Sequence, residues 1–315
     1  MKLIVQVPCY NEEATIARVL EDIPKKIEGI DEIKIVVLDD GSSDKTSEIA
    51  EKYGAEVLKS NTNKGLSYTF KKGVQKALFE KADILVNIDG DNQYLASDIK
   101  KLVEPILKGR CDIVIGSRPI DDIETFSIFK KFLQKLGTFI VKIVSKADVK
   151  DAASGFRAFS KNALLHLNIF NSFTYTIESI IQAKIKNLKI ESVPIAINPQ
   201  KGRKSKLFKN NFDYIFKQAK NTIRFFIIYR PFRFFSLIAS ILFVLGLIPA
   251  LRFLFFFMIG LKQGHVQSLI LSAIILILSF LIFMIAILAD LFSINRKLLE
   301  DIQYELRKER YEQKQ

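Results

Sequence analysis

The chain has 315 residues, 49% of them hydrophobic, with 47 Lys and Arg against 34 Asp and Glu for a net charge of +13. Two cysteines exclude a disulfide-stapled scaffold; Cys9 and Cys111 lie in apolar, strand-like runs, so buried free thiols are expected. The segment from Lys201 to Arg233 holds ten Lys and Arg and one acid, +9 of the +13, directly before an apolar span. That placement favours anionic lipid headgroups over nucleic acid as the partner.

Leu3–Val7 reads as a strand and not as a secretory leader, which predicts a cytoplasmic head. Ala14–Ile23 has helical spacing, Ile33–Leu38 is a second buried strand, and Lys45–Tyr53 a helix capped by Ser43 or Asp44. Val57–Lys59 (strand), Leu66–Phe79 (helix), Ile84–Ile88 (strand), Asp98–Leu107 (helix) and Asp112–Gly116 (strand) follow. A helical stretch, Phe126–Val144, leads to a turn-rich segment, Asp148–Arg157. Ala158–Leu167 and Tyr175–Ile185 read as helices, and Ile190–Ile197 as a strand. Strands alternating with helices predict an α/β head with a mainly parallel, Rossmann-like sheet that gathers ligands at the carboxyl ends of its strands.

From Leu207 onward Phe208, Phe212, Ile215, Phe216 and Ile223 keep helical spacing, with Lys209, Lys217, Lys220 and Arg224 elsewhere on the wheel. This predicts an amphipathic helix lying in the membrane interface. Phe234–Leu251 and Ser268–Leu288 approach or exceed the ~20 residues needed to cross a bilayer. Arg252 leaves the end of the first span open. Basic residues before the first span and at Arg296 and Lys297 after the second place head and C-terminus on the cytoplasmic side. The expected organisation is a head over 1–206, a juxtamembrane helix over 207–231, two transmembrane helices within 232–292, and a cytoplasmic tail over 293–315 that ends as a solvated helix.

Three acidic clusters fall at strand ends: Pro8-Cys9-Tyr10-Asn11-Glu12-Glu13, Asp39-Asp40-Gly41-Ser42-Ser43-Asp44 and Asp89-Gly90-Asp91-Asn92-Gln93. In Asp89-Gly90-Asp91 one carboxylate can hold a hard divalent cation while the other reaches a ribose or sugar hydroxyl. Asp39 and Asp40 are of a type to accept hydrogen bonds from a base or ribose, and they also suit a turn and helix cap. The loop from Pro8 to Glu12 can hold a nucleoside.

These clusters, followed in order by Gly116-Ser117-Arg118 and Ser154-Gly155-Phe156-Arg157, resemble glycosyltransferase family 2 of the GT-A fold. The likeness is greatest to its polyprenyl-phosphate (dolichol-phosphate) hexosyltransferases, dolichol-phosphate mannose synthase among them. It covers the chain to about Lys206. The resemblance implies that Pro8, Tyr10, Asn11, Glu12, Asp39 and Asp40 bind the donor nucleoside, with Asp89 and Gly90 at the ribose or sugar. Asp91 and Gln93 would then lie at the metal (magnesium or manganese) and diphosphate, and Arg118 would face the phosphates. Glu178 falls where the family often has an acid near the sugar. Ser154 and Arg157 would shape the acceptor side, joined by Arg203 and Lys206 from the late basic loop. There Gln200 stands where the family usually has Arg, so Arg203 or Lys201 would substitute.

The expected activity is transfer of one hexose, with inversion, from a nucleotide-diphosphate sugar to a polyprenyl phosphate. A lipid phosphate has a second pKa near ~6 and needs no general base, which suits a chain whose only histidines are His166 and His265. A processive polysaccharide synthase would carry a Gln-x-x-Arg-Trp motif, and the chain has no Trp. A non-catalytic nucleotide-binding scaffold would have no chemical need of the Asp89/Asp91 pair. Sequence does not decide between a monomer and a homo-oligomer.

Overall fold

A computed structural model describes residues 1–122, 128–170, 174–198, 223–224, 227–260 and 266–313. The chain divides into two compact units, Met1–Ile215 with Gln303–Gln315, and Phe216–Ile302. Gln200, Lys201, Arg203, Lys206 and most of the expected juxtamembrane helix lie outside the described residues.

The first unit is built on a seven-stranded sheet. Its strands are β1 (Lys2–Cys9), β2 (Glu32–Asp39), β3 (Glu56–Lys59), β4 (Ile84–Asn87), β5 (Ile113–Ser117), β6 (Arg157–Ser160) and β7 (Ile190–Pro194), in the order β3-β2-β1-β4-β6-β5-β7. Every pairing is parallel except those of β6, which runs antiparallel to both neighbours. Helices α1 (Ile16–Asp22), α2 (Thr46–Lys52), α3 (Leu66–Phe79), α4 (Ile99–Leu107), α5 (Ile128–Ser145), α6 (Lys161–His166) and α7 (Thr176–Ile185) connect the strands. The two-residue period of β1 divides its side chains between the faces. Leu3, Val5 and Val7 pack with Ile16, Val19 and Leu20 of α1 and with Ile99, Leu102 and Val103 of α4. On the other face Gln6 meets α3 so closely that a Cβ on Gly73 would stand 1.6 Å from Gln6 Oε1. Phe70 of α3 stacks there on Tyr175 with centroids 3.7 Å apart.

Two expectations change. Ala158–Leu167 does not form one helix: residues up to Ser160 belong to β6, and α6 starts at Lys161 with Ser160 Oγ accepting the Ala163 N–H at 3.2 Å. A four-residue strand is too short to show a period of two, and this one is held by ladders on both sides. The tail is helical, but one face is bedded on the head. Arg307 Nη1 donates to the Leu165 and Leu167 carbonyls at 3.1 and 2.8 Å, and Tyr311 Oη donates to the Lys81 carbonyl at 3.1 Å. The Tyr304 ring lies 4.1 Å from His166. Amphipathic Arg and Tyr make these contacts, so their polar class concealed them in the sequence.

The second unit holds α8 (Pro231–Met258) and most of α9 (Val266–Glu312), two helices long and apolar enough to cross a membrane. Arg252 does not end α8. The helix runs on to Met258, about 42 Å in all at ~1.5 Å per residue, longer than the ~30 Å hydrocarbon layer. The two helices meet through small residues: Ser272 Oγ donates to the Gly246 carbonyl at 2.7 Å and Ser279 Oγ to the Ala239 carbonyl at 2.8 Å. A Cβ on Gly246 would come within 2.9 Å of Leu276. In lipid such close approach and interhelical hydrogen bonds replace the hydrophobic effect as the pairing force. Gly246→Leu is therefore expected to lower the melting temperature of the detergent-solubilised chain by several degrees, while Val244→Leu, at an exposed position, leaves it unchanged.

Candidate active site

Strands β1, β2 and β4 are parallel neighbours, so their carboxyl ends share one edge of the sheet. The three acidic clusters meet there. The Asp40 N–H donates to the Cys9 carbonyl at 3.0 Å and the Gly90 N–H to the Pro8 carbonyl at 3.1 Å. Asn11, in the left-handed region at φ 55°, donates its N–H to Ser42 Oγ at 2.8 Å and accepts the Ser43 N–H at 2.9 Å. The Glu12 N–H donates to Thr46 Oγ1 at 2.8 Å, and its buried carboxylate accepts from Thr15 Oγ1 at 3.1 Å. Tyr10 stands at the rim, 39% exposed.

Asp39 and Asp40 are almost closed off, 1% and 5% exposed. Asp39 accepts the Ser42 N–H at 2.8 Å and the Ser47 hydroxyl, while Lys59 Nζ lies 3.8 Å away. Asp40 accepts the Lys64 and Gly65 N–H groups at 2.9 and 2.7 Å. In this structure both carboxylates shape the crevice wall.

Asp89 is half-buried, with Oδ1 sealed and without a hydrogen-bond partner. Burial first, then the charge of Asp91, pushes its pKa up to about 7, against the opposing charge of Arg118 and a hydrogen bond from Asn87. Asp91 Oδ1 accepts the Gln93 N–H at 3.0 Å, the side-chain turn that Asp favours. Asn198 fastens the same turn, its N–H on the Gln93 carbonyl at 2.9 Å and its amide on Asn92 Oδ1 at 3.0 Å.

Antiparallel β6 brings the loop that precedes it to the end of β4. The Gly155 N–H donates to Tyr94 Oη at 3.1 Å, and its carbonyl accepts from Asn87 Nδ2 at 2.8 Å and Tyr175 Oη at 2.9 Å. So pinned, Gly155 has no room for a side chain: a Cβ would lie 2.7 Å from Asp89 Oδ2. Gly155→Ala is expected to displace Asp89 and, if the crevice is catalytic, to lower turnover by about 10- to 100-fold, with circular dichroism unchanged; turnover within a factor of about two would show that this contact is slack.

Three residues expected at the site have partners of their own in the fold. Arg157 is fully buried; its guanidinium donates to the Ser154, Thr176 and Ala152 carbonyls and to Ser179 Oγ, all at 2.7–2.8 Å. Burial pushes its pKa down to about 10. Glu178 is 1% exposed and accepts the Phe170 N–H at 3.1 Å, so it braces the turn into α7. Arg118 does sit at the crevice edge after β5, but its fork is occupied by Asp151, with Nε–Oδ2 at 2.7 Å and Nη2–Oδ1 at 3.0 Å. Ser154 is buried, with its hydroxyl unpartnered, beneath the same loop. Asp151, Asn87 and Tyr94 were not expected. Asp151 lay in the turn-rich run three residues before Ser154, its one visible signal. A cavity of about 420 Å³ lies elsewhere, lined by Met1, Asp83, Cys111 and Lys189, at the opposite ends of the strands.

The Glycosyl transferase family 2 profile matches residues 4–167. The dolichol-phosphate mannosyltransferase of Pyrococcus furiosus is 31% identical over 224 residues, which span 68% of this chain and 62% of that enzyme. The UDP-N-acetylglucosamine–dolichyl-phosphate N-acetylglucosaminyltransferase of Methanococcus voltae is 30% identical over 212 residues, 60% of this chain and 82% of that one. Among solved structures, glucosyl-3-phosphoglycerate synthase from Mycobacterium tuberculosis, in complex with Mn2+, UDP-glucose and phosphoglyceric acid, superposes with a TM-score of 0.54 at 21% identity, covering 70% of this chain and 77% of that one. That last likeness is one of fold. With its mostly parallel sheet, its acidic crevice and more than half of its length matched, the chain belongs to glycosyltransferase family 2 and is a glycosyltransferase of the GT-A fold.

Proposed function

We propose that the chain moves one hexose, with inversion, from a nucleotide-diphosphate sugar to a polyprenyl or dolichyl phosphate at the cytoplasmic face of a membrane. The observation that carries this reading is the Asp89/Asp91 pair at a strand end, Asp89 closely packed against Gly155, in a chain that also has two span-long helices. The relatives named for dolichyl-phosphate acceptors support it. Tyr10, Asn11 and Glu12 line the nucleoside side, and the walls shaped by Asp39 and Asp40 enclose it. Asp89 is assigned to the sugar or ribose.

A divalent cation suits this donor set. Among the described residues no three His, Cys, Asp or Glu side chains converge as a self-sufficient metal site, so Asp91, with Asp89 and Gln93 beside it, would share the ion with substrate phosphates, as magnesium and manganese commonly allow. The sealed, unpartnered Asp89 Oδ1 and the mutual repulsion of two carboxylates are what a cation would relieve. When bound, the ion neutralises charge on the departing diphosphate. Arg118, held by Asp151, stands at the same edge. In the transfer the bond from the anomeric carbon to the diphosphate oxygen breaks, its electron pair leaving with the nucleotide. A lipid phosphate oxygen forms the new bond on the opposite face. No proton has to be removed from a dianionic acceptor. Basic residues beginning three positions after Asn198, Arg203 and Lys206 among them, are assigned to hold it.

Membranes containing the chain, supplied with polyprenyl phosphate and labelled GDP-mannose, UDP-glucose or UDP-N-acetylglucosamine, should put label into the organic extract with one donor and only when magnesium or manganese is present. Absence of lipid-soluble label with all three would sink the proposal.

A further inference from the structure

The core of the head holds a polar pair that apolar packing alone would not require. Gln6 of β1 and Asn87 of β4 are cross-strand neighbours, and both are fully buried. Gln6 Nε2 donates to Asn87 Oδ1 at 2.8 Å, and Asn87 Nδ2 donates in turn to the Gly155 carbonyl at 2.8 Å. The pair is not satisfied within itself: Gln6 Oε1 is pressed against Gly73, sealed and without a hydrogen-bond partner. An acceptor buried in that way costs stability, whereas two apolar side chains of the same shape would avoid the cost. The Gly155 carbonyl does not depend on Asn87 for satisfaction either. Tyr175 Oη, on the ring that stacks with Phe70, already donates to it at 2.9 Å. What Asn87 adds is closeness. Its N–H holds the carbonyl oxygen at 2.8 Å, where a methyl group would keep it at ~3.3 Å or more.

We infer that the Gln6–Asn87 pair is a positioning device for Asp89, drawing the Gly155 peptide in against the carboxylate. Gly155 is the link. A Cβ there would lie 2.7 Å from Asp89 Oδ2, and its N–H is taken up by Tyr94 Oη at 3.1 Å. Gln6 acts one step further back. An Asn amide can present either its oxygen or its NH2 group, and Gln6 Nε2, by engaging Oδ1, leaves Nδ2 to face Gly155. Both side chains are sealed from the crevice, so they act through Gly155 and not on a substrate. The inference rests on the assignment of Asp89 to the donor.

The test replaces both members together, Gln6→Met with Asn87→Leu, because Asn87→Leu alone would leave Gln6 Nε2 buried without an acceptor. The full-length double variant in detergent should melt at or above the temperature of the unaltered chain, since a sealed, unpartnered oxygen is gone. Amide exchange at Gly155 should nonetheless quicken by about tenfold or more, with the amides of β1 and β2 unchanged. Turnover at saturating donor and acceptor should fall by about tenfold. Adding Gly155→Ala should then lower it far less than Gly155→Ala does in the unaltered chain, because both changes act on one contact. A melting temperature lower by about 10 °C or more would make the pair a structural one and overturn the inference. Unchanged exchange at Gly155 would overturn it as well. Faster exchange with turnover intact would leave the hold on Gly155 in place and overturn the assignment of Asp89 to the donor.

Discussion

Asp91→Asn is expected to reduce transfer by about a thousandfold or more while leaving the fold intact. The side-chain amide can still accept the Gln93 N–H that Asp91 Oδ1 accepts at 3.0 Å, so the turn keeps its shape and only the charge is lost. That charge is assigned to the cation and diphosphate, and loss of one preorganised electrostatic contact costs on the order of 10²–10³ in rate before any loss of metal is counted. Asp91→Ala removes the turn contact as well and should be at least as severe. Turnover at saturating donor, measured beside a thermal melt, separates the two effects. Activity within a few-fold of the unaltered chain, at full metal dependence, would remove Asp91 from the chemistry and leave a scaffold as the better reading.

The acidic crevice was legible because each of its clusters closes an apolar strand, and parallel strands put their ends together whatever lies between them. Helix α3 was read at its full extent, Leu66–Phe79, from hydrophobic spacing alone. Strand β6 was not, since four residues carry no period and its pairing partners lie 42 to 76 positions away in sequence. The same long-range reversal hides Asp151, recognised only when Arg118 is seen beside it, and it hides the packing of Gly155, whose motif was visible, against Asp89. Spacing also revealed α5 as a helix, yet nothing in the pattern says that Gln134, Thr138 and Ser145 are buried while Phe132, Leu136, Phe139 and Ile143 stand exposed. Ridges of Phe and Leu are most often buried, and only the packed structure shows these exposed.

Arg157 gives the sharpest contrast between residue type and place. An arginine close to a glycine-bearing loop invites assignment to a phosphate, but here its planar fork joins four oxygens from Ala152, Ser154, Thr176 and Ser179. It thereby ties the loop carrying Gly155 to the start of α7. Lysine offers a compact ammonium and cannot span four acceptors spread about a plane. Arg157→Lys is therefore expected to cost about 3–5 kcal/mol, because several buried carbonyls lose their donors together. At roughly 2–4 °C per kcal/mol for a domain of this size, the melting temperature should fall by on the order of 10 °C, and transfer should fail through loss of folded protein. Measured just below that lowered midpoint, the folded fraction should retain an ordinary dependence on lipid acceptor. A variant that melts like the unaltered chain yet needs far more polyprenyl phosphate would return Arg157 to the acceptor site, and would require the loop from Asp151 to Phe156 to open during turnover.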